Sequence, residues 1–138
     1  MNAFRSLFEN VRARTGMYLQ EETYAAVSAF VLGYDLAAQG GVLKGFREWL
    51  IVRLGAGNNL TWAALVLHLA FPGKSDPQAA LQSTAATQRH AVDVLFQLIA
   101  EFDDYREAPD GLRRIYFEYE QWLRKQEWYG PGSPGWLG

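Results

Sequence analysis

An all-α fold is what this sequence predicts: a single bundle of five or six helices with an irregular C-terminal tail. Apolar residues recur at spacings of three and four, with no sustained two-residue alternation, which is the helical period. Glycine, proline and cap-forming residues punctuate that pattern at helix-length intervals. A chain of 138 residues that is 49% hydrophobic, with 5 Trp, 7 Tyr and 8 Phe, has the size and apolar content for one core and excludes intrinsic disorder.

In chain order, Phe4, Leu7, Phe8 and Val11 line one face of a first helix, after a possible cap at Asn2 and ending before Thr15-Gly16. A second runs from about Glu22-Thr23 to Gln39, where Gly40-Gly41 tolerate the left-handed conformation that closes helices. Between Thr23 and Leu43 its only charge is Asp35, which predicts an interior position. A third, Leu43 to Leu54, carries Phe46, Trp49, Leu50 and Arg53 at helical spacing and stops at Gly55-Ala56-Gly57. Asn58 or Asn59 is the expected cap of a fourth, Leu60 to Phe71, also uncharged and interior, ended by Pro72-Gly73. Ser75-Asp76-Pro77 starts the next, with a break near Ser83-Thr84 and a long element from Ala85 to Phe102. After Ala108-Pro109-Asp110-Gly111, a last helix uses Leu112, Ile115, Tyr116, Tyr119, Trp122 and Leu123 as its seam. The domain is expected over 1–129, with a Gly/Pro-rich tail at 130–138.

Composition excludes several function classes. Without cysteine there is no disulfide scaffold, thiolate metal site or Cys nucleophile. A net charge of -2 supplies no broad basic surface for nucleic acid. The charged first helix offers no signal-peptide core, and the uncharged run from Leu60 to Pro72 falls short of the roughly 20 residues of a membrane helix, so a cytoplasmic protein is expected, with no membrane partner.

No motif calls for a cofactor, a metal or a catalytic residue. The two histidines, His68 and His90, belong to no spaced metal pattern. His90 and Asp93 lie three apart and can face each other, while His68 on an apolar helix reads as a hydrogen-bonded core residue. Gly55-Ala56-Gly57-Asn58-Asn59-Leu60 begins like a dinucleotide fingerprint, but Leu60 replaces the third glycine and a helix precedes it, so it is a helix-to-helix turn. Pro131-Gly132-Ser133-Pro134-Gly135 lacks the first glycine and the strand of a nucleophile elbow. Asp35 needs a donor, and an ion pair with Arg12, Arg14, Arg47 or Arg53 is expected.

The C-terminal third is different. Residues 101–138 carry eight acids against five bases. Glu101, Asp103 and Asp104 can be read as a hard-cation group, as a solvated helix end, or as an acidic patch steering a basic protein. Seven aromatics lie between Tyr116 and Trp136, and Phe117 is off the core stripe. Tyr and Trp contribute large rigid contact area at low entropic cost, so a partner-binding surface is expected from Asp103, Asp104, Glu107, Phe117, Glu118, Trp128, Tyr129 and Trp136.

Two resemblances arise on Arg12 to Leu19. The segment resembles the R-P-G-M-Y-I element of gyrase-type ATPase domains, but Thr15 replaces the proline, and that family's glutamate-asparagine helix and glycine-rich lid do not follow. More broadly, Arg14-x-Gly16-Met17-Tyr18-Leu19, Ala29-Phe30-x-x-Gly33-Tyr34, Phe46-x-x-Trp49-Leu50, Leu60-x-Trp62 and Phe96-x-Leu98-x-x-Glu101-Phe102 resemble small helical bacterial proteins, some of them similar to the immunity partners of polymorphic toxins. That resemblance implies a cytoplasmic protein that stoichiometrically binds and neutralises a cognate toxin. The alternative is an enzyme or small-ligand domain with a site between helices, built on Asp35, His68 or the Glu101 group. An exposed Trp/Tyr surface equally suits a homodimer.

Overall fold

The computed structural model describes residues 3–133; Asn2 and Trp136 fall outside them. Within that range the chain is all-helical, without strands. The helices are α1 (Ala3–Ala13), α2 (Thr15–Tyr18), α3 (Tyr24–Ala37), α4 (Phe46–Leu54), α5 (Trp62–Ala70), α6 (Pro77–Leu81), α7 (Ala85–Glu107) and α8 (Gly111–Arg124). Eight among the described residues exceed the five or six expected, because short pieces read as turns or helix ends close as separate helices. At the α1–α2 joint the hydroxyl of buried Thr15 donates to Val11 O at 2.8 Å, satisfying a carbonyl that the interrupted helix leaves open.

Caps explain most boundaries. Thr23, Thr61 and Asp76 accept the third amide of α3, α5 and α6, and Thr84 with Thr87 forms a reciprocal capping box on α7. The α5 cap is therefore Thr61, not Asn58 or Asn59; the Asn58 side chain instead accepts from the Tyr119 hydroxyl. Gly55 ends α4 in the left-handed region at φ 77°. α4 begins at Phe46 rather than Leu43, because residues 39–45 form a tight turn that passes through positive φ at Gln39, Gly40 and Gly45. α7 runs on past Phe102 to Glu107, until Pro109 holds Ala108 extended.

The centre of the bundle is α7, which touches α1, α3, α4, α5, α6 and α8 and buries Val92, Leu95, Phe96, Ile99 and Phe102. The apolar α3 is not interior. It packs one face, Tyr24, Val27 and Val31, toward the core, with Phe30 and Tyr34 edge-on to Phe8, while Leu32 and Leu36 stand exposed. Much of its length is Ala and Gly, which raise hydropathy without giving a second neighbour anything to grip. α5 is interior over Leu65, Val66, Leu67 and Ala70, as expected.

Polar side chains tie these layers together. Asp103, 2% exposed, accepts from Arg5 of α1 at 2.9 Å and from Arg106 at 3.3 Å. Arg106 also donates to Val42 O and Lys44 O of the 39–45 turn. From the other side, the Asp35 carboxylate accepts the amides of Val42 and Leu43 at 3.1 and 2.7 Å. Asp35 thus finds backbone donors rather than the arginine expected of it. At the α7–α8 corner a Cβ on Gly111 would lie 2.3 Å from Arg106 O, so only glycine closes that turn.

Removing one member of a buried ion pair leaves uncompensated charge. Asp103→Ala is expected to lower the unfolding free energy by about 3–5 kcal/mol. Urea unfolding measures it, and a loss within the range of an exposed pair, under about 1 kcal/mol, would refute the role given to this carboxylate.

Candidate functional site

Among the described residues, Met17, Tyr18, Leu32, Leu36, Tyr116, Phe117 and Trp128 are the large hydrophobics left exposed. Three belong to α8 and the turn behind it. Ile115 and Leu123 anchor α8 in the core. Phe117, two positions past Ile115, is carried to the outer side and is 60% exposed. Behind the helix, Trp128 turns back edge-on to Trp122 at 6.2 Å, Trp122 stacks with Tyr119 at 6.3 Å, and half-buried Tyr129 meets Trp128 at 84°. Ser133 holds this turn by donating to Trp128 O and accepting from Gly130 N.

The acids separate. Asp103 leaves the expected surface, since it is buried between Arg5 and Arg106. Asp104 is exposed and shares Arg5. Glu101 is paired with Arg53, so arginines take all three carboxylates of the hard-cation reading, and among the described residues no acidic or histidine group is arranged to hold a metal. Glu107 is exposed on the last turn of α7, and Glu118 accepts from the Tyr105 hydroxyl. That bond is the main cause holding the Tyr105 phenol above its ordinary range.

His90 does not bond to Asp93. Its Nε2 lies 2.8 Å from Ala70 O, and its ring packs edge-on to Phe71. Asp93 is taken by Arg89 at 2.7 Å and Arg12 at 3.2 Å. Arg89 also donates to Arg12 O and to Thr15 Oγ1, closing the end of α1. Burial pushes the Asp93 carboxyl up, but the two arginines outweigh it and hold it below the usual carboxylate range. His68 is half-buried on α5, and among the described residues it makes no hydrogen bond or ion pair with Asp35 or Glu101. Burial pushes the Glu48 carboxyl up, with Arg47 only partly opposing, and raises the Tyr116 phenol, to which Glu48 adds. Asp35 and the acids of the Glu101 group are thus held by separate partners.

Beside α8 lies a groove of about 470 Å³ between the loop at residues 55–59 and Trp122, Gln126 and Trp128. The sequence marks each wall, a glycine turn and an aromatic tail, but nothing in it joins them. Met17 and Tyr18 are also exposed, which their apolar character in the sequence does not signal. Comparison with protein-family models, curated proteins and solved structures finds no match.

The Asp93 pair gives a pH-dependent signature. Its folded pKa is depressed, so its stabilisation is present above the unfolded value near about 3.9 and is lost as pH falls through the lower folded value. Asp93→Asn is expected to cost about 1 kcal/mol at pH 7, given the partial exposure of the pair, with the gap closing below about pH 4. Urea midpoints of both proteins across that range test it; a gap independent of pH would contradict it.

Proposed function

We propose that this chain is a non-catalytic protein-binding domain, a bacterial immunity-type protein that binds and neutralises a cognate toxin in the cytoplasm. The observation that carries the binding reading is the exposure of Tyr116, Phe117 and Trp128, at 40%, 60% and 50%, on one helix and its following turn. Rigid aromatics of this kind anchor interfaces because little conformational freedom is lost when they are covered. Asp104, Glu107 and Glu118 add exposed carboxylates on α7 and α8, and a basic partner surface complements them. The toxin-directed part of the reading rests on the resemblance across residues 12–102.

Co-expression with the product of the adjacent gene, followed by co-purification and growth rescue, is the test. A stoichiometric complex is expected, and Phe117→Ser is expected to weaken it by about thirtyfold, the effect of losing an interface anchor of about 2 kcal/mol. Absence of a complex at micromolar concentration together with absence of rescue sinks the proposal. So does a concentration-dependent homodimer abolished by Phe117→Ser, which would assign the surface to self-association.

A further inference from the structure

The groove beside α8 is a cavity that the protein-binding reading does not use. Its volume of about 470 Å³ lies in the range of small-molecule sites. Both walls are fixed before any guest arrives. Arg47 of α4 donates to the carbonyls of Asn58 and Leu60, and Leu60 N donates to Gly57 O, so the 55–59 loop is tied to α4 and to itself. The Tyr119 hydroxyl donates to Asn58 Oδ1 and Trp122 packs against the core, which sets α8 at a defined distance from the loop. A site built in advance loses little binding energy to ordering itself.

The lining selects its guest by charge and polarity. No Asp, Glu, Lys or Arg lines the groove, although 20% of the chain is charged. A charged guest would give up its water there without meeting an opposite charge, which favours an uncharged one. Of the amide side chains in the lining, two are already bonded within the protein: Asn58 Oδ1 accepts from Tyr119, and Gln126 Nε2 donates to Trp122 O. A guest rich in hydroxyls would leave several of them without partners, which favours one of low polarity.

Shape narrows the choice further. Trp122 and Trp128 meet at 63° with ring centroids 6.2 Å apart, and both line the groove. Trp128 is half exposed, so apolar ring surface is left open to water on that wall. The facing loop offers Gly55, Ala56 and Gly57, with no side chain larger than a methyl. Gly57 cannot gain one, since its φ is 92° and a Cβ would lie 2.5 Å from Leu65 Cδ2. A flat ring fits against the indoles with the loop close on its other side, and covering the apolar surface of both supplies the driving force.

We propose that the groove binds a small uncharged aromatic molecule of one or two rings bearing few polar groups, covered by the Trp122 and Trp128 indoles on one side and by residues 55–57 on the other.

The test is titration of the ¹⁵N-labelled full chain with indole, with tryptamine as a cationic, indole-3-acetate as an anionic and glucose as a hydroxyl-rich comparison probe. Saturable shifts are expected for indole at the amides of residues 56–59 and at the indole N–H of Trp122 and Trp128, with all three comparison probes at least about tenfold weaker. Trp128→Ala is expected to weaken indole at least about tenfold, and Trp128→Phe, which keeps a ring, by no more than about threefold. Absence of saturation up to about 10 mM indole overturns the proposal, as do saturable shifts confined to Tyr116 and Phe117, which would put the ring on the outer face of α8. Equal binding of either charged analogue overturns the selection for an uncharged guest, and equal binding of glucose overturns the preference for a ring. Indole binding that Trp128→Ala leaves unchanged overturns the corner. No partner protein enters these measurements, so their failure leaves the protein-binding reading standing, and the reverse holds too.

Discussion

The rest of the structure hangs on one buried carboxylate. Asp103 sits in the core on α7 and receives Arg5 from the start of the chain and Arg106 from its own helix. A carboxylate in that position is tolerated only because both donors reach it, since an unpaired charge there would cost several kcal/mol. Arg106 then extends the tie in two directions. Its guanidinium covers the Phe102 ring at 4.7 Å and donates to the 39–45 turn, so the ion pair is continuous with the aromatic core of Phe46, Trp49 and Phe102. α8 departs from this last turn of α7 through Gly111, whose missing side chain lets the corner close on Arg106 O. The seat of the aromatic helix is therefore set by a charge cluster on another.

Local signals were legible where local chemistry decides. Thr23, Asp76, Thr84 and Gly55 mark boundaries because a side-chain oxygen or a left-handed glycine meets an orphaned backbone group a few residues away. Readings fail where the deciding partner is distant or is brought back by a turn. Asp103 reads as part of an acidic patch because its partner Arg5 is 98 residues off. Asp35 reads as an ion-pair acid, yet its turn curls back to give it two amides. α3 reads as interior because composition records how apolar a segment is, not how many neighbours surround it. The central helix is α7, whose charges argue for a surface until Arg5, Arg53, Arg89 and Arg106 are seen to neutralise them.

The candidate surface was legible to the same degree. Phe117 is off the apolar stripe of α8, and helical geometry alone sends it outward. The groove was not legible. The Gly55–Asn59 turn is a helix connection, as its sequence suggests, and its proximity to Trp122 and Trp128 follows only from the packing of α8 against α4.

That packing also divides the aromatic surplus of the C-terminal third. Tyr119 and Trp122 press against the core, and the Tyr119 hydroxyl is committed to Asn58, so these two hold α8 onto the 55–59 loop. Trp128 meets Trp122 edge-on and is half exposed, while Phe117 is 60% exposed. One helix thus spends its rings in three ways: seating itself, walling a groove and facing solvent. The count of aromatics alone suggests a single sticky surface. Their packing separates an inner corner built on the seat of the helix from the more exposed ring of Phe117.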